Sequence, residues 1–311
     1  MSDARQPTDE GISRRRVLAI GGGAVLAAAG VSGGLIQWAR LEAAGRGAPA
    51  PARAAATLAP TAPPTATPAQ SAADDEPWPP PPLGISTTVP TEFVFVVAPD
   101  VPEAEERLAR ESAALATRYY RERTGFYLTN RPRIHLNMSR TSGPLGEADG
   151  RDITLLIGNR NWPRLTRVDK VAVVCHEVFH LFQVALGEGA TSPILWLIEG
   201  AAEYASQMAV IESGMRSKTE FEGFALRAVS ESPQPPLAVA GRSPFATEYA
   251  LGALAASQLV GDRGVPPLSD YYRRLVTASP LQAFEAAFGE TRTAFEQRFE
   301  AWRVQRGIPA R

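Results

Sequence analysis

The sequence predicts an α+β domain in which a small mixed β-sheet is followed by a mostly helical half. Two observations carry this expectation. The segments rich in β-branched and aromatic residues, 91–98 (TEFVFVVA), 133–138 (RIHLNM) and 152–157 (DITLLI), all lie in the first part of the domain. From Thr166 onward, apolar residues recur at helical spacing almost to the end of the chain.

Before the domain come two segments of different character. Residues 1–12 are polar, and SRRRVLA at 13–19 leads into an uncharged stretch from Val17 to Ala39. Paired arginines followed by Val17 and Leu18, with six glycines from Gly21 to Gly34 diluting the hydrophobicity, resemble a twin-arginine export signal. The same stretch is long enough to anchor the chain, since about 20 apolar residues span a bilayer. Residues 1–39 are therefore expected to direct the chain across the bacterial cytoplasmic membrane, leaving it extracytoplasmic or membrane-anchored. Residues 40–82 are Ala, Pro and Thr with an acidic patch at Asp74, Asp75 and Glu76, and such a composition cannot bury a core. They read as a disordered linker, which places the folded domain at 83–311.

Within that domain the elements follow in order. The strand at 91–98 precedes a helix over 102–123, with apolar positions at Leu108, Leu115 and Tyr119 and a stop at Gly125. In the strand at 133–138, Ile134, Leu136 and Met138 share one face. DITLLI is a short buried strand, and its end is expected to offer an edge for an extended peptide. Thr166, with Asp169 three residues on, caps the next helix. A turn at Gly187–Ser192 leads to a second helix, with Ser192 as N-cap, Pro193 at its first position and Gly214 past its end. Gly200, costly inside a helix by about 1 kcal/mol relative to Ala, reads as letting this helix approach the preceding one closely. Further helices are expected at 217–230, 245–260, 266–277, 280–288 and 291–305.

The chemistry is concentrated between Val171 and Tyr204. HEVFH places His176 and His180 one helical turn apart, about 40° around the axis and about 6 Å along it, so both imidazoles can reach one metal ion. That spacing suits zinc. Glu177, beside the first histidine, can lie next to the position left open for water and accept its proton, which makes it a base and not a ligand. Catalytic zinc sites take three protein ligands. Between His180 and Glu199 lie 18 residues (199 − 180 − 1), enough to end one helix, turn and begin another alongside, and Glu199 is the third ligand on this reading. Glu203, one turn later, is placed to accept the free ring N–H of a ligating histidine. The apolar surroundings of the motif, among them Val174, Val178, Phe179 and Phe182, would bury both imidazoles, and buried imidazoles need partners.

HEVFH, 18 residues and WLIEGAAEY together resemble the gluzincin zinc metallopeptidases, the zincin-like group that contains thermolysin and the aminopeptidase-N-like enzymes. The spacing is similar to the aminopeptidase-type pattern, and the likeness is strongest to small bacterial proteins with a peptidase-MA-like domain. It covers about 35 residues closely and the order of strands before helices more loosely. The resemblance implies a hydrolase that cleaves peptide or protein substrates, with Zn2+ on His176, His180 and Glu199, Glu177 as general base and Glu203 as the outer carboxylate. No segment of the GxMEN type, which in the aminopeptidase branch binds the free amino end of the substrate, is present.

Other residues can be placed around this centre. An oxyanion donor is needed for peptide hydrolysis, and no histidine follows the motif. Tyr249 is the candidate, with Tyr204, Tyr271 and Tyr272 as alternatives. His135 shares a strand face with Arg133 and Asn137 and reads as exposed or at a cleft edge. Cys175, the only cysteine, reads as a small buried residue. A net charge of −1 gives no electrostatic bias toward nucleic acid. A rival of a different class keeps the metal and not the turnover: an envelope binding or scaffold module with a structural zinc.

Overall fold

The structure, a computed structural model, describes residues 82–308 except 142–143, 232 and 241–245. The export or anchor segment 1–39 and the linker as far as residue 81 lie outside the described residues. Among the described residues no helix is long and apolar enough to cross a membrane.

The architecture is α+β. A two-stranded antiparallel ribbon joins β1 (Ile85–Ser86) to β3 (Tyr127–Leu128). A mixed four-stranded sheet has the order β2 (Val94–Val97), β4 (Arg133–Asn137), β6 (Asp152–Leu156), β5 (Gly146–Asp149), with β5 antiparallel to β6 and the other neighbours parallel. The register pairs Ile134 with Ile153 and Leu136 with Leu155, so the buried residues of both strands line one face. The helices cover that face.

Helix α1 (Glu103–Thr124) carries acidic residues in its first turn and arginines in its last, which suits the helix dipole, and closes on Gly125 at φ 83°. Helix α2 (Arg167–Leu186) carries the HEVFH motif. It starts at the expected capping box: Thr166 Oγ1 accepts from the Asp169 amide at 3.2 Å, and Asp169 Oδ2 accepts from the Thr166 amide at 3.2 Å. It is buried nearly all round, between α1, the sheet and α3 (Leu195–Glu212). Tyr120 of α1 donates its hydroxyl hydrogen to the Cys175 carbonyl at 2.8 Å, fixing α1 beside the motif.

Helices α4 (Lys218–Ser230), α5 (Ala246–Val260), α6 (Pro266–Arg274), α7 (Pro280–Phe288) and α8 (Arg292–Gln305) complete the helical half. Trp196 of α3 stacks on Phe295 of α8 with ring centroids 5.5 Å apart, and donates through Nε1 to Glu296 at 3.0 Å. These contacts hold the back of α3.

Three expectations are corrected. DITLLI does not supply a sheet edge, because β5 pairs along it and β6 is interior; the edge belongs to β5, whose GEAD sequence has none of the usual strand formers. Ser192 does not cap α3. Its hydroxyl bonds Tyr271 at 2.7 Å and accepts from the Ile194 amide at 3.0 Å, and the helix starts at Leu195. Gly200 does permit a close approach, but to α5 rather than to α2. Glu199 and Glu203 take the side of α3 that faces α2, and Gly200 points to Gly252.

A Cβ on Gly200 would lie 2.3 Å from the carbonyl carbon and oxygen of Gly252, where neither backbone can yield without moving a helix. Gly200→Ala should therefore destabilise the fold by about 1–3 kcal/mol or more, the scale of overpacking, read as a lower denaturant midpoint. A variant as stable as the parent would show that α3 and α5 are not in backbone contact.

Candidate metal centre

His176 and His180 project from one face of α2, and Glu199 from α3 meets them. His176 Nε2 and His180 Nε2 are 3.0 Å apart, and Glu199 Oε2 is 3.4 Å from each. Donors on a tetrahedral zinc at about 2.0–2.1 Å would be separated by about 3.3 Å, so this triangle has the size of one face of such a tetrahedron. The same three residues are the group that could hold a metal ion among the described residues.

The outer partners settle which ring nitrogen faces that triangle. Gln183 donates through Nε2 to the Ile198 carbonyl at 2.9 Å and to Tyr272 Oη at 2.8 Å, so its Oε1 faces His180 Nδ1 as an acceptor at 2.7 Å. His176 Nδ1 meets the carboxylate of Glu203 at 3.2 Å. Both Nδ1 atoms therefore carry hydrogen, and both Nε2 atoms face one another and an anionic oxygen. Three electron-rich atoms at this separation, on one buried and two half-buried residues, repel unless a cation or a proton lies between them, and the donor set of two imidazoles and one carboxylate fits zinc.

The charges act in the same sense. Burial alone would lower His176, but hydrogen bonds to Glu199 and Glu203 and the charge of Glu177 push it up to about 10. Burial likewise opposes the charged form of His180, and Glu199 raises it. Burial would raise Glu199, yet the two imidazoles bring it down to about 2. The field that holds a proton on these rings is the one that would hold a metal cation in its place.

Glu177 lies beside the triangle and is buried. Burial pushes its carboxyl up, His176 and His180 pull it back, and Glu199 and Glu147 add to the rise. It lies close under the backbone of β5: a Cβ on Gly146 would come within 2.8 Å of Glu177 Cγ and Oε1. The edge strand that the sequence does not announce is thus the one that passes over the base.

Tyr249 is brought to the site. Its ring centroid is 6.1 Å from that of His176, and burial together with Glu199, Glu177 and Glu203 raises its phenol well above the usual range, so it stays protonated and can donate. The alternatives are not brought there in the same way. Tyr271 bonds Ser192, and Tyr272 orients Gln183. Tyr204 is pushed up to about 12 by burial, Glu212 and Asp262, without a contribution from the site carboxylates. Cys175 is fully buried, with its thiol pushed up to about 12 by burial, and is not part of the ligand group. His135 lies on the strand face toward Asp152, 3.9 Å away. Gln183 is the contributor that sequence reasoning missed; its place three residues after His180, on the same helix face, was the available signal.

No family model matches the chain, and no curated protein matches it. Among solved structures it is similar to an M1 zinc metallopeptidase from Deinococcus radiodurans, with 19% identity and a TM-score of 0.43, covering 73% of this chain and 53% of that one. A mutant of an M1 zinc metallopeptidase from the same organism, bound to a Tyr-ser-ala substrate, gives 18% identity and a TM-score of 0.42 over 71% of this chain and 52% of that one. The chain spans about half the length of the structures it matches.

Ligand and outer carboxylate should separate by mutation. Glu199→Ala leaves two imidazoles and should abolish tight zinc binding. Glu203→Ala should weaken it by about 10- to 100-fold, the scale for outer partners. Zinc affinity measured by chelator competition tests the order, and the reverse order would show that the third ligand is misassigned.

Proposed function

We propose that the chain is a zinc-dependent peptide hydrolase, with zinc on His176, His180 and Glu199 and with Glu177 as the general base. The observation that carries this reading is Glu177 itself. A structural zinc site has no use for a buried carboxylate at its open side and usually closes with four ligands, whereas a hydrolase needs a base there. When bound, zinc would supply a Lewis acid for the scissile carbonyl and lower the pKa of the attacking water.

The chain's own residues supply the rest. Glu177 takes the proton of the attacking water and returns it to the leaving amine; the rise in its pKa from burial favours the return. Tyr249, held protonated, donates to the oxygen that gains charge in the transition state. The outer edge of β5, the terminal strand of the sheet beside Glu177, would take an extended peptide as an added strand. Export by residues 1–39, with residues 40–82 as tether or spacer, would put this activity outside the cytoplasmic membrane, where peptide or protein substrates would reach it.

A mixed peptide library incubated with the zinc-loaded full chain tests the reading. Glu177→Gln should keep its zinc while cleavage falls by about 10²- to 10⁴-fold, and Tyr249→Phe should keep zinc while turnover falls by about 10²- to 10³-fold. Cleavage undiminished in Glu177→Gln would remove the base, and a parent chain that binds zinc but cleaves nothing in the library would favour the binding module.

A further inference from the structure

Behind the ligand triangle a one-way chain of hydrogen bonds runs from Arg216, in the turn between α3 and α4, to His176. Arg216 is buried, and its Nη1 donates to Gln207 Oε1 at 2.7 Å. Gln207, fully buried, donates through Nε2 to Glu203 Oε1 at 3.0 Å, and Glu203 Oε2 accepts from His176 Nδ1 at 3.2 Å. The direction of every step follows from the first. A guanidinium only donates, so Gln207 turns its oxygen to Arg216 and its NH2 to Glu203. Glu203 then accepts on one oxygen from Gln207 and on the other from His176, which leaves Nε2 facing Glu199 and His180.

The same arginine reaches the start of the motif helix. Its Nη2 donates to Asp169 Oδ1 at 2.6 Å, and Asp169 Oδ2 accepts from the Thr166 amide and hydroxyl. Arg216 therefore ties the N-cap of α2 to the inner face of α3, the two helices that carry the three ligand groups.

We propose that Arg216 is a positioning residue that fixes, through Gln207 and Glu203, the Nδ1–H hydrogen bond and ring orientation of His176, and thereby sets the metal affinity of the site. The effect on affinity rests on the zinc reading above; the effect on the hydrogen bond does not. An arginine that served only as an ion pair for Asp169 would change stability and leave the imidazole as it is.

The test uses the full chain, its Arg216→Met, Arg216→Lys and Gln207→Met variants, and two readouts. One is zinc affinity by chelator competition; the other is the downfield Nδ1–H proton resonance of His176 in zinc-stripped protein, which reports whether Glu203 holds that hydrogen. Arg216→Met and Gln207→Met should each lose about 10- to 100-fold in zinc affinity, with the Nδ1–H resonance moving upfield or lost to exchange with water. Arg216→Lys, which keeps a donating cation, should recover part of both. Gln207→Met breaks the chain while leaving the Arg216–Asp169 pair, so it decides the matter even if Arg216→Met does not fold. Parental zinc affinity and an unchanged His176 Nδ1–H resonance in Gln207→Met would overturn the proposal. If the parent chain itself refused zinc, the zinc reading would fail, and the Nδ1–H resonance would still show whether the chain of hydrogen bonds orients His176.

Discussion

Two imidazole nitrogens and one carboxylate oxygen, held 3.0 to 3.4 Å apart and mostly away from solvent, are the constraint on which the rest of this structure depends. Such groups do not stay together on their own account. Their mutual repulsion and their loss of hydration both act against the fold unless positive charge occupies the centre. The elements around them are arranged to impose the geometry: a helix buried nearly all round for the histidines, a second helix for the carboxylate, and outer hydrogen bonds that point each Nε2 inward.

The packing explains how α3 can hold Glu199 so firmly. Gly200 and Gly252 let α5 press against the back of α3 at backbone distance, while Trp196 anchors α3 to α8. Glu199 is then carried on a rigid element rather than on a loop, as a positioned ligand requires. On the other side, β5 passes over Glu177 so closely that a Cβ at position 146 would displace the Glu177 side chain. Glu177, the three candidate ligands and the sheet edge thus meet in one region, and the close approaches that bring them together lie at glycines, Gly200 against Gly252 and Gly146 against Glu177.

The group that could hold a metal was legible because the chemistry is local: HEVFH needs one helical turn, and a third candidate ligand after 18 residues needs only a second helix alongside. The capping box at Thr166 was legible for the same reason. What was not legible depends on distant partners. GEAD has no strand propensity and pairs only because β6 offers it an edge. Ser192 looks like a helix cap, but Tyr271, far along the chain, claims its hydroxyl. Gly200 announced a close approach and could not name Gly252 as its partner. Gln207 and Arg216 carry no motif at all, and their roles appear only once α2, α3 and the turn after α3 are brought together.

The most direct measurement is the metal content of the purified full chain after exposure to zinc and removal of the excess. About one zinc per chain, lost when His176 or His180 is replaced by Ala, is the expected result. A folded, metal-free chain that takes up no zinc would contradict the account at its centre, because the inward-facing nitrogens and the Glu199 carboxylate would then have to be held together by protons alone.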